Sequence, residues 1–424
     1  MFTVLVVAGV VAATVSPAAA TPDAPSSGTG DVAMSRPAAD VYWRGSWAAA
    51  QQPRNPYVPG WSQRGFTDQS LRQVVRTSVG GTHVRIRLSN LYGDTPLPVT
   101  GASIARTEAG ATLQRGSQRH LTFGGRQWAQ IPVGTELDSD PLLLHTTPLE
   151  QLTVTLYFAR HTGRATYHSR ATATSYLANG DHRVDPTGTA FTGRSGSWYF
   201  LTRVDVRGDR AHPPDGIVAL GDSITDGYGS TPNANNRYPD ELAERLVRTN
   251  TPRPVLNAGI SANRVLSDSP CGGESAIARF RRNVATQPGV RTVIVLEGIN
   301  DIRTQGGTTG CAQGAPMITT QQLIDGHRYL IRWARDRGLT AIGATLPPCG
   351  CAGGEETMRT ELNRWMRTTA GTAGGYDAVA DVHTTLADPA NPRTLRPAYD
   401  SGDGLHPNNA GYRRIAETIP LAKL

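Results

Sequence analysis

The sequence predicts an all-β region of the sandwich or jelly-roll type, followed by an α/β region built on a doubly wound parallel sheet. From about residue 41 to residue 208, short β-branched or alternating segments are separated by Gly, Pro, Asn and Asp, with no long helical pattern between them. From about residue 214, short apolar runs alternate with helical patterns, which is typical of parallel strands joined by helices. The length of 424 residues suits two such regions.

Four segments define the β region most clearly. They alternate apolar and polar residues or are rich in β-branched and aromatic residues, and they cover residues 73–77, 83–88, 152–158 and 198–201. The aromatic residues near the start of this region have two interpretations, stacking on sugar rings or packing in the sandwich core; these residues are Trp43, Trp47, Tyr57 and Trp61. Core packing is the commoner explanation.

The α/β region contains five apolar segments that we interpret as strands, near residues 217–220, 254–258, 292–297, 340–345 and 378–382. Helical patterns lie between and after them, near residues 239–249, 274–286, 320–337, 355–369 and 408–422. In sheets of this kind, ligands bind beyond the carboxyl ends of the strands. Polar residues that directly follow the strands are therefore the first candidates for a site.

Ser223 is the candidate nucleophile. It lies in the sequence GDSITDG, residues 221–227, directly after the first apolar strand. A serine on a sharp turn between a buried strand and a helix presents its Oγ to a substrate, although the G-x-S-x-G pattern is absent here. The alternative is a strand-ending turn with the serine as a cap, and we expect the neighbouring Asp222 to anchor that turn.

A candidate base and an acid to orient it lie near the C-terminus. Asp403 and His406 are three residues apart, so a single turn places the carboxylate beside the imidazole. A serine nucleophile needs a base to take its proton, and that base needs a third group to fix its tautomer. Asp400 is a weaker alternative to Asp403, and an ordinary loop before the last helix would also explain the segment.

Two further loops follow predicted strands and carry glycine and asparagine. A tetrahedral oxyanion needs donors that are already in place. We expect the backbone N–H groups of Ser223 and Gly259 and the side-chain amide of Asn300 to supply them. Asn263 and Asp301 are expected to support the two loops. The alternative is that both loops are ordinary strand-to-helix turns.

Together, the four segments resemble the GDSL, or SGNH, hydrolase family. The letters of that name fall on Ser223, Gly259, Asn300 and His406 in the family's order, and Asp403 matches the acid of its D-x-x-H element. The resemblance covers approximately residues 216–424 and is greatest to secreted actinobacterial members with an added N-terminal β domain. It implies a three-layer α/β/α fold and a serine ester hydrolase that forms an acyl-enzyme and uses no cofactor.

The resemblance does not fix the substrate, because the family includes acetyl-sugar esterases, lipases, phospholipases, thioesterases and aryl esterases. We expect removal of acetyl or other short acyl groups from polysaccharide or small esters, because the protein looks exported and carries an extra β region. A lipase or phospholipase is the alternative. A third hypothesis is a catalytically idle glycan-binding protein, which the intact set of Ser223, Asp403 and His406 disfavours.

The charge pattern argues against a nucleic-acid partner. The net charge is +7, but the basic residues are scattered and form no block of five or six. The expected partner is therefore an ester substrate, either an acylated carbohydrate or a lipid. We expect the protein to be a monomer.

The N-terminus predicts export. Residues 1–20 read as a signal peptide, because an apolar run is followed by Ala18 and Ala20 at the spacing of a cleavage site, although no Lys or Arg precedes the run. Residues 21–39 are Pro-rich and polar and predict a disordered linker. Residues 40–210 then form the β-sandwich domain and residues 211–424 the catalytic domain of a secreted protein, with no segment that spans a bilayer.

The four cysteines all lie in the α/β region, and in an exported protein they predict disulfides; they are Cys271, Cys311, Cys349 and Cys351. Two pairings are open. One joins Cys271 to Cys311 and leaves a strained Cys349–Cys351 bridge, and the other connects the first two cysteines to the last two. A zinc site is disfavoured, because no His or acid accompanies the cysteines at the usual spacing.

Overall fold

The protein's structure, a computed structural model, describes residues 42–57, 60–208 and 215–424. The part up to residue 208 consists of β-strands and one short helix, α1 (Trp61–Arg64). The strands are β1 (Trp43–Ala48), β2 (Gln69–Arg76), β3 (Gly81–Ser89), β4 (Leu97–Val99), β5 (Gly101–Ala109), β6 (Thr112–Leu113), β7 (Arg119–Leu121), β8 (Ala129–Ile131), β9 (Glu136–Asp138), β10 (Leu142–Thr146), β11 (Gln151–Phe158), β12 (Tyr167–His168), β13 (Ser175–Asn179), β14 (Gly193–Ser195), β15 (Trp198–Tyr199) and β16 (Leu201–Arg207).

These strands form two antiparallel sheets that enclose one core. The first sheet has the order β1-β16-β3-β10, with β9 added to β3, and the second has the order β14-β13-β2-β11-β5-β6, with β7 added to β5. Alternating side chains of both sheets meet in a single buried cluster; Ile86 and Val204 belong to the first sheet, and Leu71 and Leu156 to the second. Two sheets packed face to face in this way make a β-sandwich, which confirms the predicted class of this region.

One predicted strand is divided. Residues 198–201 do not form a continuous strand, because Phe200 has a φ of +60°. Trp198 and Tyr199 pair with β12, whereas Leu201 begins β16 and pairs with β3. The turn of the backbone at Phe200 places its ring in the core against Phe158.

The four aromatic residues singled out in the sequence have different environments. Trp47 is buried and meets Trp198 edge to face in the core, and Trp43 lies under the Arg85 guanidinium. Tyr57 is exposed, and Trp61 is half-buried beside a cleft described below. Core packing therefore explains Trp47, but it does not explain Tyr57.

The second part of the chain has five parallel strands, β17 (Gly216–Gly221), β18 (Val255–Gly259), β19 (Val290–Leu296), β20 (Thr340–Ala344) and β21 (Ala378–Ala380). Its helices are α2 (Ser223–Asp226), α3 (Tyr238–Arg248), α4 (Ala276–Phe280), α5 (Ile299–Arg303), α6 (Thr320–Arg335), α7 (Gly353–Thr369), α8 (Val382–Leu386) and α9 (Asn409–Thr418). A short hairpin, β22 (Ala387–Asp388) and β23 (Asn391–Leu395), follows α8.

The parallel sheet has the order β18-β17-β19-β20-β21. The chain therefore moves from β17 to β18 on one side and then returns to β19 on the other. This reversal opens a crevice beyond the end of β17, which is where ligands bind in doubly wound sheets. The helices pack in two groups: α9 contacts α3 and α8 in one, and α6 contacts α7 and α4 in the other. The predicted α/β fold with helix layers is thereby confirmed.

The β-sandwich packs directly on the edge of the parallel sheet. Strand β1 contacts β18, and Val255 N donates to Ser78 Oγ at 3.0 Å. Arg76 forms a 2.8 Å ion pair with Glu244 on α3. Asp40–Leu424 forms one compact unit. The sandwich is therefore close enough to contribute residues to the crevice at the end of β17.

The predicted signal peptide, residues 1–20, and the predicted linker, residues 21–39, lie outside the described residues. Within the described ranges, no helix combines the length and the apolar character needed to cross a membrane.

Candidate active site

Ser223 is the first residue of α2, the short helix that directly follows β17. The chain turns tightly here because residue 221 is a glycine, and a Cβ at that position would overlap the Thr225 hydroxyl and the Leu296 carbonyl oxygen. Asp222 caps the helix, since its Oδ1 accepts from Ile224 N at 2.9 Å. Burial raises the pKa of Asp222 to about 7. Asp222 thus anchors the turn, as expected from the sequence.

The Ser223 hydroxyl lies beside His406. Ser223 Oγ is 2.8 Å from His406 Nε2, and His406 Nδ1 is 2.6 Å from Asp403 Oδ2. Because a carboxylate only accepts hydrogen bonds, the proton of the neutral ring lies on Nδ1 and Nε2 accepts from the serine. The structure therefore places Ser223, His406 and Asp403 in one hydrogen-bonded chain.

Asp403 makes two contacts with His406 and one with the neighbouring Leu405. Besides the ring contact, Asp403 Oδ1 accepts from the backbone nitrogens of Leu405 and His406. Partial burial would raise the pKa of the Asp403 carboxyl, but these hydrogen bonds outweigh it and lower that pKa. Asp400, the alternative acid, accepts from Gly402 N and Gly404 N and shapes the loop without contacting the imidazole. The geometry favours Asp403 as the orienting acid.

The expected oxyanion donors have different surroundings. Asn300 Nδ2 donates to Asn263 O at 2.9 Å, which leaves a second N–H on the same nitrogen. The Gly259 N–H, in contrast, donates to Asn257 Oδ1 at 2.8 Å and is not available to an oxyanion. A Cβ on Gly259 would overlap the backbone of α2 at Asp226 N. Glycine at this position serves the close packing of β18 against α2.

Ala262 is the residue of this loop that the sequence did not single out. Its φ is +64°, an unusual value for a residue with a Cβ. Ser261 on one side donates from N and Oγ to Asp226 Oδ2, and Asn263 on the other side accepts from Asn300. The Ala262 N–H makes no hydrogen bond within the part of the chain the structure describes. An alanine gives no sequence signal for such a conformation.

Arg279 connects the carboxyl ends of three strands. Its guanidinium donates to Gly221 O on β17 and Ala258 O on β18, and it lies 3.5 Å from Glu297, which follows β19. Burial lowers the pKa of Arg279 to about 10 and raises the pKa of Glu297 well above its usual range. The third guanidinium nitrogen of Arg279, Nε, donates a hydrogen bond to Asn263 Oδ1. This buried arginine thus positions the strand ends and the loop that contacts Asn300.

A histidine of the sandwich reaches the helix that carries Ser223. His168 is fully buried, and its Nε2 lies 2.9 Å from Asp226 Oδ1 while its Nδ1 lies 2.8 Å from Ala50 O. Both ring nitrogens face oxygen acceptors, which favours the doubly protonated ring. Burial alone would lower the pKa of His168, but Asp226 and two backbone carbonyls raise it overall. The contact joins residues 58 positions apart, so sequence patterns could not reveal it.

We expect His168→Ala to lower the free energy of unfolding by about 3–5 kcal/mol, because it leaves Asp226 buried without its charged partner. Urea denaturation at pH 6 measures this loss. Since folding raises the pKa of His168, this stabilisation is complete below the ordinary imidazole pKa and declines as the pH rises through the raised value. The matched control is His120→Ala on the exposed face of β7, expected to change stability by less than about 0.5 kcal/mol. Equal effects of the two substitutions would contradict the assignment.

The Tyr228 ring covers one face of His406, and Arg170 lies over Tyr228. The Tyr228 ring stacks on the imidazole with centroids 4.2 Å apart, and the Arg170 guanidinium carbon lies 4.1 Å from the centre of the Tyr228 ring. Arg170 belongs to the sandwich, directly after β12. The sandwich therefore contributes to the edge of the site, which the sequence did not indicate.

Two disulfides stiffen the loops around this crevice. They join Cys271 to Cys311 and Cys349 to Cys351, which is the first of the two pairings left open by the sequence. The loop of Cys271 also contacts the sandwich, since Gln52 Nε2 donates to Cys271 O at 2.6 Å. No group of three or more His, Cys, Asp or Glu side chains within the described ranges is arranged to bind a metal ion.

Comparisons with known proteins point to the same part of the chain. Residues 219–414 match the model of the GDSL-like Lipase/Acylhydrolase family. Among solved structures, a putative lipolytic protein of the G-D-S-L family from Desulfitobacterium hafniense DCB-2 is 22% identical, with a TM-score of 0.37, and the alignment covers 48% of this chain and 96% of that chain. The inhibitor-bound M. smegmatis aryl esterase is 19% identical, with a TM-score of 0.38, over 48% of this chain and 94% of that chain. No curated protein matches the chain. The family model agrees with the resemblance inferred from the four sequence segments, and residues 219–414 of this chain form a GDSL-like lipase/acylhydrolase domain.

Proposed function

We propose that this domain is a serine ester hydrolase in which Ser223 is the nucleophile, His406 the general base and Asp403 the residue that orients His406. The observation that supports it most strongly is the unbroken hydrogen-bonded chain from Ser223 Oγ through both imidazole nitrogens to Asp403 Oδ2. Such a chain activates a hydroxyl that is otherwise a weak nucleophile at neutral pH. The catalytic domain proposed here spans residues 211–424, after a sandwich domain at residues 40–210.

The reaction proceeds through an acyl-enzyme. Ser223 Oγ attacks the ester carbonyl carbon while His406 Nε2 takes the hydroxyl proton. The tetrahedral intermediate collapses, and His406 returns that proton to the leaving alkoxide, so that an alcohol departs. A water molecule, deprotonated by His406, then attacks the acyl-serine, and the carboxylic acid leaves as the serine recovers its proton.

The negative oxygen of each tetrahedral intermediate requires donors. We propose three, the Ser223 N–H, the Ala262 N–H and the second N–H of Asn300 Nδ2. Ala262 replaces Gly259 in this assignment, because the Gly259 N–H already donates to Asn257. Hydrogen bonds from Ser261 to Asp226 and from Asn300 to Asn263 connect the segments that carry the three donors. Donors fixed in advance stabilise the developing charge without reorganisation.

We propose that the substrates are short acyl esters of a carbohydrate. We also propose that the protein is exported from the cell. The two disulfides support an oxidising compartment. Lipid esters are the second candidate, supported by an open cavity beyond α5 whose lining includes Ile302, Met317 and Met358. That cavity offers an apolar surface to a long acyl chain.

One set of assays tests this proposal. Purified protein is expected to hydrolyse p-nitrophenyl acetate and to be labelled by a fluorophosphonate on the peptide that contains Ser223. A series of p-nitrophenyl esters of increasing chain length separates the two substrate classes, and we expect the highest kcat/KM for acetate to butyrate. Preference for acyl chains of about eight carbons or more would favour lipid esters. Folded protein that is neither labelled nor active would instead point to a glycan-binding protein.

The pH dependence of kcat/KM should report His406. Burial lowers the pKa of His406, Asp403 opposes this, and the positive charges of Arg170 and Arg303 lower it further. Because the base must be neutral, activity is expected to fall on the acid side with an apparent pKa below the ordinary imidazole value of about 6.5. Arg303→Gln removes one of the two cations, so the acid limb should move to higher pH at low ionic strength.

The control for this experiment is Arg115→Gln, an exposed arginine in the turn after β6, which is expected to leave the acid limb unchanged. An acid limb above the ordinary imidazole pKa in the wild-type protein would contradict this account. So would a shift of the limb to lower pH in Arg303→Gln.

A further inference from the structure

A cleft in the sandwich lies next to the candidate active site. It has a volume of about 510 Å³, within the range of small-molecule sites. We call it the arginine cleft and define it by the six larger side chains among its lining residues, Trp61, Arg64, Tyr167, Arg170, Arg194 and Tyr199. Nothing in the proposed reaction uses the cleft itself.

The charge of the cleft is one-sided. Its lining includes three arginines, Arg64, Arg170 and Arg194, and neither Asp nor Glu. None of these three forms an ion pair with an acidic side chain among the described residues. Several other arginines of the sandwich do form ion pairs, such as Arg87 with Asp138 and Arg106 with Glu150. The lining of this cleft therefore carries positive charge with no acidic side chain beside it, which suits an anionic ligand.

The walls of the cleft are polar as well as aromatic. Trp61 is half-buried and lies over Tyr199, with ring centroids 5.7 Å apart. Serine side chains complete the wall, among them Ser195, whose Oγ is hydrogen-bonded to the Tyr199 hydroxyl at 2.8 Å. Aromatic faces beside hydroxyl groups suit the apolar face and the hydroxyls of a sugar.

The cleft connects to the active site through residues 167–170. Tyr167 lines the cleft, and Arg170 lines it and also stacks over Tyr228, which in turn covers His406. In the proposed reaction His406 returns a proton to the leaving alkoxide. The alcohol portion of the ester must therefore lie on the His406 side of Ser223, and Arg170 and Tyr228 connect His406 to the cleft.

We propose that the arginine cleft binds the alcohol portion of the substrate and that this portion is an acidic saccharide, a sugar chain that carries carboxylates. Guanidinium groups bind carboxylates through paired, charge-assisted hydrogen bonds. The assignment of this saccharide as the alcohol side of an ester rests on the proposed function, whereas the binding itself does not.

Binding of a ligand without an ester tests the cleft alone. The probe is a de-esterified oligogalacturonate, compared by calorimetry with a neutral galacto-oligosaccharide of the same length. We expect the wild-type protein to bind the acidic probe at least about tenfold more tightly, and Arg64→Gln/Arg194→Gln to lose at least about tenfold in that affinity. Arg115→Gln is the matched control for removal of a surface arginine. Thermal unfolding verifies that each variant is folded, which we expect because neither arginine has an acidic partner to lose.

Kinetics then separate the cleft from the chemistry. The ratio of kcat/KM for O-acetylated oligogalacturonate to kcat/KM for acetylated galacto-oligosaccharide should fall at least about tenfold in the double variant. Protein that binds the acidic probe but hydrolyses no ester would overturn the proposed function and leave the cleft in place. Protein that hydrolyses esters, with equal affinity for the two probes or with no loss in the double variant, would overturn the cleft.

Discussion

Ser223→Ala is expected to lower kcat for p-nitrophenyl acetate by about 10⁴- to 10⁶-fold, with a thermal unfolding midpoint close to that of the wild-type protein. The substitution removes the oxygen atom that is proposed to form the acyl-enzyme bond. It also removes one hydrogen bond to His406 Nε2. The side chain is nearly buried, with 6% of its surface exposed, yet it loses only a hydroxyl, so the packing of α2 should persist.

The control is Ser230→Ala, in the same turn. Ser230 Oγ donates to Gly227 O at 2.7 Å and is remote from the hydrogen-bonded chain, so this variant should keep its activity within about tenfold. The double variant Ser223→Ala/His406→Ala should be no less active than Ser223→Ala alone, because the two residues act as one unit. Wild-type turnover by Ser223→Ala would disprove the assignment. Additive losses in the double variant would show that the two side chains act separately.

The parts of the fold that sequence could predict are those set by local pattern. The apolar segment near residues 217–220 lies within β17, and the one near residues 292–297 overlaps β19. Both are buried on both faces, as is typical of parallel strands covered by helices. Once these strands are located, the sequence also places Ser223 and Asn300 just beyond their carboxyl ends. The contact between Asp403 and His406 could also be predicted from the sequence, because the two residues are only three positions apart.

The parts that sequence could not predict depend on distant contacts or on backbone conformation. His168 and Arg170 look like ordinary residues of a sandwich, and the packing of the sandwich on the parallel sheet brings them to Asp226 and Tyr228. Glycine at position 259 indicates a close approach, and in the structure the group that approaches it is the backbone of α2. The identity of Ala262 gives no such signal, because its proposed role as an oxyanion donor depends on a backbone φ of +64°.

The disulfide pairing illustrates the same limit. Two alternatives remained because cysteine spacing alone does not specify which loops meet. The choice depends on the path of the loop after α5, where Arg264 Nη2 donates to Cys311 O at 2.7 Å and brings that loop to the loop after β18. This contact between separate loops places Cys311 beside Cys271.

Asn300→Ala is expected to lower kcat for p-nitrophenyl acetate by about 10²- to 10³-fold with little change in KM. Asn300 Nδ2 spends one N–H on Asn263 O, and the other is free to contact the oxyanion, which exists only in the tetrahedral state. A donor used only in that state contributes to kcat and not to the binding of the ester. The lost bond to Asn263 should reduce the free energy of unfolding by about 1 kcal/mol.

Two comparisons separate this donor role from a structural one. Thr304→Val removes the hydrogen bond from Thr304 Oγ to the Asn300 backbone carbonyl, a similar loss of stability at the C-terminal end of the same helix, and should leave kcat within about tenfold of wild type. Asn300→Asp keeps the shape of the side chain but puts acceptor oxygens where the N–H groups were, so it should be at least as inactive as Asn300→Ala. If Asn300→Ala and Thr304→Val lower kcat equally, Asn300 supports the loop and does not stabilise the oxyanion. A large rise in KM with unchanged kcat would likewise assign Asn300 to substrate binding.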